Sequence, residues 1–142
     1  MTAGYKSKAR ALELARVLVM HGELAPRLTI QTILQASGYA VDSAATPAEA
    51  LAKLDEAEYD LVLSDGEGGS DAAGRNLLAY ARVKEYRPAT ALVTATERPA
   101  RNGRARHRFS IYTENVPAFL GEVAELIGLR ASRRYRVLRH AM

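Results

Sequence analysis

Three short apolar runs constrain this chain more than any other feature. RVLVM (16–20), DLVLS (60–64) and TALVT (90–94) are each about one strand long and apolar almost throughout. Runs without in–out alternation belong to strands covered on both faces. YAVDSA (39–44) and FSIY (109–112) add two further strands, the second weaker.

Helical patterns fill the intervals. Leu28, Ile30, Ile33 and Leu34 recur at near-helical spacing, and Gly38 closes that helix just past its end. In TPAEALAKLDEA, Thr46 is the N-cap, Pro47 the first helical residue and Glu49 the partner in a capping box. Ala50, Leu51 and Leu54 form its inner face. A helix over about 72–85 turns Leu77, Leu78 and Ala81 inward, and a last helix starts at Pro117. Phe119, Leu120, Val123, Leu126 and Ile127 make its stripe, and Gly128 is read as its end.

Strands alternating with helices predict an α/β fold: a doubly wound, five-stranded parallel sheet flanked by helices. The segment ATERPARNGRARHR (95–108) stands where a fourth helix belongs. It has a proline, a glycine, five arginines and almost no apolar face, so that helix is expected to be degenerate. The expected organisation is an N-terminal extension (1–14), one domain (15–129) and an arginine-rich C-terminal tail (130–142) outside the α/β pattern.

The chain has no cysteine, so disulfides and thiolate metal sites are excluded. No apolar run reaches the roughly 18 residues of a membrane span, and no signal-type segment follows Met1, so a soluble cytoplasmic protein is expected. Charge is distributed unevenly. Residues 1–97 sum to −3, whereas 98–142 sum to +7, with every cation in that part an arginine. Arginine offers a planar fork suited to phosphates, carboxylates and aromatic rings; a solvated basic surface is the plainer reading.

In doubly wound folds ligands meet the carboxyl ends of the strands. Those ends carry His21, Gly22 and Glu23 after the first strand, Asp65 after the third, Thr94 after the fourth, and Tyr112 and Thr113 after the fifth. In order along the chain stand RVLVM then GE, Arg27, GYAV, AEALAKL, YDLVLSD, a glycine before NLL, ALVTA and a final amphipathic helix. That succession, from about Arg16 to Gly128, resembles the receiver domain of bacterial response regulators, whose fold is flavodoxin-like.

The resemblance implies a site and a chemistry. In that family the aspartate ending the third strand accepts a phosphoryl group from a histidine kinase, and Asp65 holds that position. An acidic pair after the first strand binds Mg²⁺; here His21 and Gly22 occupy it, with only Glu23 nearby. Thr94 matches the Thr or Ser that contacts the phosphoryl group. The family's lysine falls on Tyr112 or Thr113, or on Glu114 if the register slips, and none is a lysine. The loop after Asp65 departs too, with Gly69 where a proline is common and Gly74 one residue late.

Mg²⁺ requires oxygen ligands in octahedral geometry, and phosphoryl transfer relies on cations that neutralise developing charge. The expectation is therefore a pseudo-receiver, non-enzymatic, without a cofactor and with Mg²⁺ disfavoured. It would act by contact with a histidine kinase, another signalling protein or a second copy through the 98–128 face. His21 reads as an ordinary partly exposed histidine, with a titrating switch as the alternative. Thr94 reads as a strand-end residue bonded to backbone. DGEGGSD lacks the acid spacing of a calcium loop.

Two arginine clusters give a second hypothesis. Arg98, Arg101, Arg104, Arg106 and Arg108 form one; Arg130, Arg133, Arg134, Arg136 and Arg139, with Tyr135 among them, form the other. RASRRYR is similar to the arginine-rich segments of cyclic di-GMP-binding receiver-like and PilZ-type proteins, and guanidinium stacking on guanine would supply the mechanism. DNA is disfavoured because no groove-reading element is visible. A conventional Mg²⁺-dependent receiver at Asp65 is the third hypothesis.

Overall fold

The computed structural model describes residues 15–65, 71–94 and 110–141, with the side chains of 71–74, 110, 112 and 134–141 outside the description. The expected N-terminal extension and the degenerate helical segment therefore lie outside the described residues, as do Arg98, Arg101, Arg104, Arg106 and Arg108.

Five strands form one parallel sheet: β1 (Arg16–Met20), β2 (Ala40–Ala44), β3 (Leu61–Asp65), β4 (Ala89–Thr94) and β5 (Ser110–Tyr112). Their order is β2-β1-β3-β4-β5. The order reverses beside β1, so the crevice at the carboxyl ends of β1 and β3 is the topological switch point. Among the described residues four helices cover the sheet: α1 (Leu24–Ala36), α2 (Pro47–Glu56), α3 (Asp71–Arg82) and α4 (Val116–Ala141).

The apolar runs become the central strands because each faces two cores. Leu18, Met20, Val62 and Leu92 point toward Leu54 of α2 and Leu77, Leu78 and Ala81 of α3. Val17, Val19, Leu61, Leu63, Ala91 and Val93 point the other way, toward Ile30 and Leu34 of α1 and Phe119 and Val123 of α4. Leu28 is a correction: it is 49% exposed, not inward. It stands two residues, or about 200° of helix, from the buried Ile30.

Local signals position the elements. Gly38 adopts φ 101°, the left-handed geometry its place after α1 requires. Thr46 Oγ1 accepts from the Glu49 N–H at 3.1 Å. The Glu49 carboxylate accepts from the Ala45 N–H at 2.8 Å, one residue earlier than an ordinary capping box.

The C-terminal boundary differs from expectation. Helix α4 does not stop at Gly128 but continues to Ala141, so the separate tail is a continuation of the last helix. Gly128 keeps a right-handed φ and nothing crowds it. The residues after it are strong helix formers, which offsets the ~1 kcal/mol cost of a mid-helix glycine. A tertiary anchor also holds this stretch. Arg130 is 9% exposed. Its Nε donates to the Arg87 carbonyl at 3.0 Å, Nη2 to the Tyr86 carbonyl at 2.6 Å, and Nη1 to Asp60 Oδ1 at 2.5 Å. These partners precede β3 and β4, so α4 is pinned at the amino edge of the sheet, opposite the crevice.

Candidate functional site

Among the described residues, strand endings supply the crevice's frame. Asp65 is the last residue of β3 and pairs in register with Val93 of β4, while Thr94 pairs with Tyr112 of β5. His21 directly follows β1, and its N–H donates to the Ala44 carbonyl of β2 at 3.0 Å. Thr113 follows β5 and is tied to the Thr94 carbonyl through its N–H (3.0 Å) and hydroxyl (3.4 Å).

His21 is buried, at 5% exposure, where the sequence reading has it partly exposed. Three contacts set its position. Arg27 of α1 donates from Nη1 to the His21 carbonyl at 2.8 Å. The Glu23 N–H donates to His21 Nδ1 at 3.1 Å. With Nδ1 accepting, the proton of the neutral ring lies on Nε2. That nitrogen stands 3.8 Å from Asp65 Oδ1, beyond hydrogen-bonding reach but close enough for electrostatic attraction. Asp65 is itself largely covered, its side chain 14% exposed.

Below the rim, Ser64 Oγ and Thr94 Oγ1 are buried without a hydrogen-bond partner among the described residues. For Thr94 this corrects the expectation of a backbone-bonded hydroxyl: its carbonyl is engaged and its hydroxyl is not. The sequence reading missed Ser64 because a single serine in an apolar strand gives no signal of its depth.

The fold family implies Mg²⁺ beside the acceptor aspartate, and the residues present do not fit it. A hard cation needs several oxygen ligands. The buried imidazole of His21 faces the Asp65 carboxylate, Gly22 offers no side chain, and Glu23 is exposed at the N-terminus of α1. The vicinity of Gly22 is open, and a Cβ there would meet nothing within 4 Å, so packing does not demand the glycine. Among the described residues, no group of three or more His, Cys, Asp or Glu could hold a metal ion.

The predicted site residues thus divide between the two edges of the sheet. His21, Gly22, Glu23, Asp65, Thr94 and Thr113 converge on the carboxyl edge, and Tyr112 reaches it through its backbone. Arg130 is not a surface ligand group; it is built into the amino edge. Arg133 is exposed one turn further along α4.

A doubly wound sheet in this order, with an aspartate ending β3 at the switch point, is the architecture of a response regulator receiver domain. No family model matches the chain, and no curated protein matches it by sequence. Solved structures do. The chemotaxis response regulator CheY4 of Vibrio cholerae superposes with a TM-score of 0.62 at 24% identity, over 80% of this chain and 98% of that one. A CheY-like receiver domain protein from Methanospirillum hungatei gives 0.68 at 25% identity, over 85% and 99%. The response regulator PhyR from Brucella abortus gives 0.73 at 18% identity, over 96% of this chain and 58% of PhyR. The chain has the receiver-domain fold. Among the described residues no helix is long and apolar enough to cross a membrane.

Proposed function

We propose that this receiver-fold chain is a signalling module that works by protein–protein contact, without a phosphorylation cycle, a bound cofactor or a reaction of its own. One observation carries the reading: the His21 imidazole, not a carboxylate, faces Asp65 at 3.8 Å. A phosphoryl group on Asp65 would lack the metal that spreads its charge, and Thr113 and Glu114 bring no cation where the family has lysine.

Contact surface is available beside the crevice. Leu24 is 60% and Leu28 49% exposed, one turn apart at the start of α1, and Val116 at the start of α4 is 38% exposed. Leu24 and Leu28, one turn apart on α1, form an exposed apolar pair that favours a protein partner over solvent. A histidine kinase or another signalling protein fits this surface.

The test is incubation with acetyl or carbamoyl phosphate and Mg²⁺, followed by intact mass measurement. The expected result is an unchanged mass. An adduct of about 80 Da on Asp65, one phosphoryl group, overturns the reading and restores a conventional acceptor. The Thr94 hydroxyl, without a partner among the described residues, is the observation that favours that conventional alternative. For cyclic di-GMP, the fold withdraws Arg130 from the candidate ligand set. That reading then rests on Arg133 and the remaining arginines, and calorimetry with the nucleotide decides it.

A further inference from the structure

The amino edge of the sheet carries two surfaces of opposite charge. On the α2/α3 side lies a cleft of about 510 Å³ between the C-terminal ends of those helices. Its apolar lining is Leu54, Tyr80, Val83 and Tyr86, and Val83 is 79% exposed. Its rim is acidic: Asp55, Glu56, Glu58 and Glu85 line it, and all four are exposed. Lys84, the one cation lining the cleft, is already paired with Asp55.

On the other side of the same edge stands α4. Its exposed face there carries Leu129, 47% exposed, and Arg133, one turn on. Residues four apart share a helix face, so an apolar knob and a cation point the same way. Arg130 fixes this part of the helix to Asp60 and the Tyr86 and Arg87 carbonyls. Beyond Arg130 the helix runs eleven more residues, a projection of about 16 Å.

We propose that the acidic cleft is the seat for the α4 end of a second copy of this chain, in a two-fold symmetric, end-to-end dimer. The complementarity is the reason. An edge with an acidic, partly apolar cleft on one half and a helix face carrying Leu129 and Arg133 on the other is self-complementary under a two-fold rotation. Each copy's Leu129 meets the other's exposed Val83, and each Arg133 meets the other's carboxylate rim. The helices that line the cleft pack on one face of the sheet and α4 on the other, which puts the two halves of the surface on opposite faces of one chain. The proposal concerns the edge opposite the crevice and stands whether or not Asp65 is ever phosphorylated.

The experiment is sedimentation equilibrium of the full chain at about 0.1 M and about 1 M salt, where the screening length falls from about 10 Å to about 3 Å. The expected result is twice the 15.5 kDa chain mass at low salt and weaker association at high salt. Cleft reversal (Glu56→Lys with Glu58→Lys and Glu85→Lys) and helix reversal (Arg133→Glu) should each weaken association about tenfold or more, with thermal midpoints close to the parent's. An equimolar mixture of the two variants should associate again, because Lys-cleft then meets Glu-helix while the other half of the interface is native. A monomer at both salt concentrations overturns the proposal, even if the cleft takes up a free oligo-arginine peptide. So does a dimer indifferent to both reversals, or a mixture that fails to associate.

Discussion

At the amino edge of the sheet, polar groups are paired; at the carboxyl edge, two that are buried are not. Arg130 places all of its donor nitrogens against carbonyls and a carboxylate. The Tyr59 hydroxyl donates to Asp42 at 2.7 Å, and the Tyr86 hydroxyl donates to the Leu54 carbonyl at 2.9 Å. At the other edge, Ser64 and Thr94 keep buried hydroxyls without partners among the described residues. An unmade hydrogen bond in the interior costs stability, so a fold keeps one chiefly where a function or its remnant holds the residue. Among the described residues, the amino edge is the part of this molecule whose polar groups are satisfied by the fold, and the carboxyl edge is the part where two are not.

The sharpest way to break this contrast is Arg130→Ala. It removes the donor from two carbonyls and from Asp60 Oδ1, leaving Asp60 Oδ2 with the Arg16 N–H, and the expected loss is about 2 kcal/mol, read from denaturant unfolding. Arg130→Lys should recover only part of it, because a single ammonium cannot reproduce the fork. A loss under about 0.5 kcal/mol would mean that α4 is not anchored as described.

Tyr59→Phe is a smaller perturbation of the same edge, expected to cost about 1.5 kcal/mol through loss of the bond to Asp42. It carries a pH signature as well. Burial, then the hydrogen bond to Asp42, pushes the Tyr59 phenol well above its ordinary value of 10.0. Above that pH the unfolded chain loses the Tyr59 proton while the folded chain keeps it, so stability falls as pH rises. The Tyr59 contribution is fully present below pH 10 and is lost through the alkaline range up to its folded pKa. Unfolding curves between about pH 9 and pH 11 should therefore slope less steeply in Tyr59→Phe than in the parent.

The smallest expected effect has the opposite sign. Thr94→Val replaces an unpartnered buried hydroxyl by a methyl of similar shape, and it should stabilise the fold by up to about 1 kcal/mol. Destabilisation by the same substitution would show that Thr94 does find a partner, and the contrast between the edges would disappear.

Much of this was legible in the sequence, and what was not follows a physical pattern. RVLVM, DLVLS and TALVT declare buried parallel strands through local composition, and Asp65 is placed by its position at the end of one of them. Thr46, Pro47 and Glu49 signal a helix start within four residues, and Gly38 signals a stop through a conformation few other residues adopt. The misreadings all involve distance along the chain. Gly128 looks like a helix end until Arg130 is seen to reach Asp60, seventy residues away. His21 looks exposed until Ala44, Arg27 and Asp65 close around it. Leu28 looks inward because the apolar spacing of α1 is irregular, and only the packed sheet shows which stripe wins. The site was thus readable as a set of positions, while burial and pairing, which decide its chemistry, were not.

The clamp on Arg130 also fixes a position. Because the guanidinium is held at three points on the sheet's lower rim, the place where α4 passes that rim is set by a side chain seventy residues from its carboxylate partner, and the helix continues eleven residues past it. A substitution at Asp60 is therefore felt at the far end of the chain's last helix.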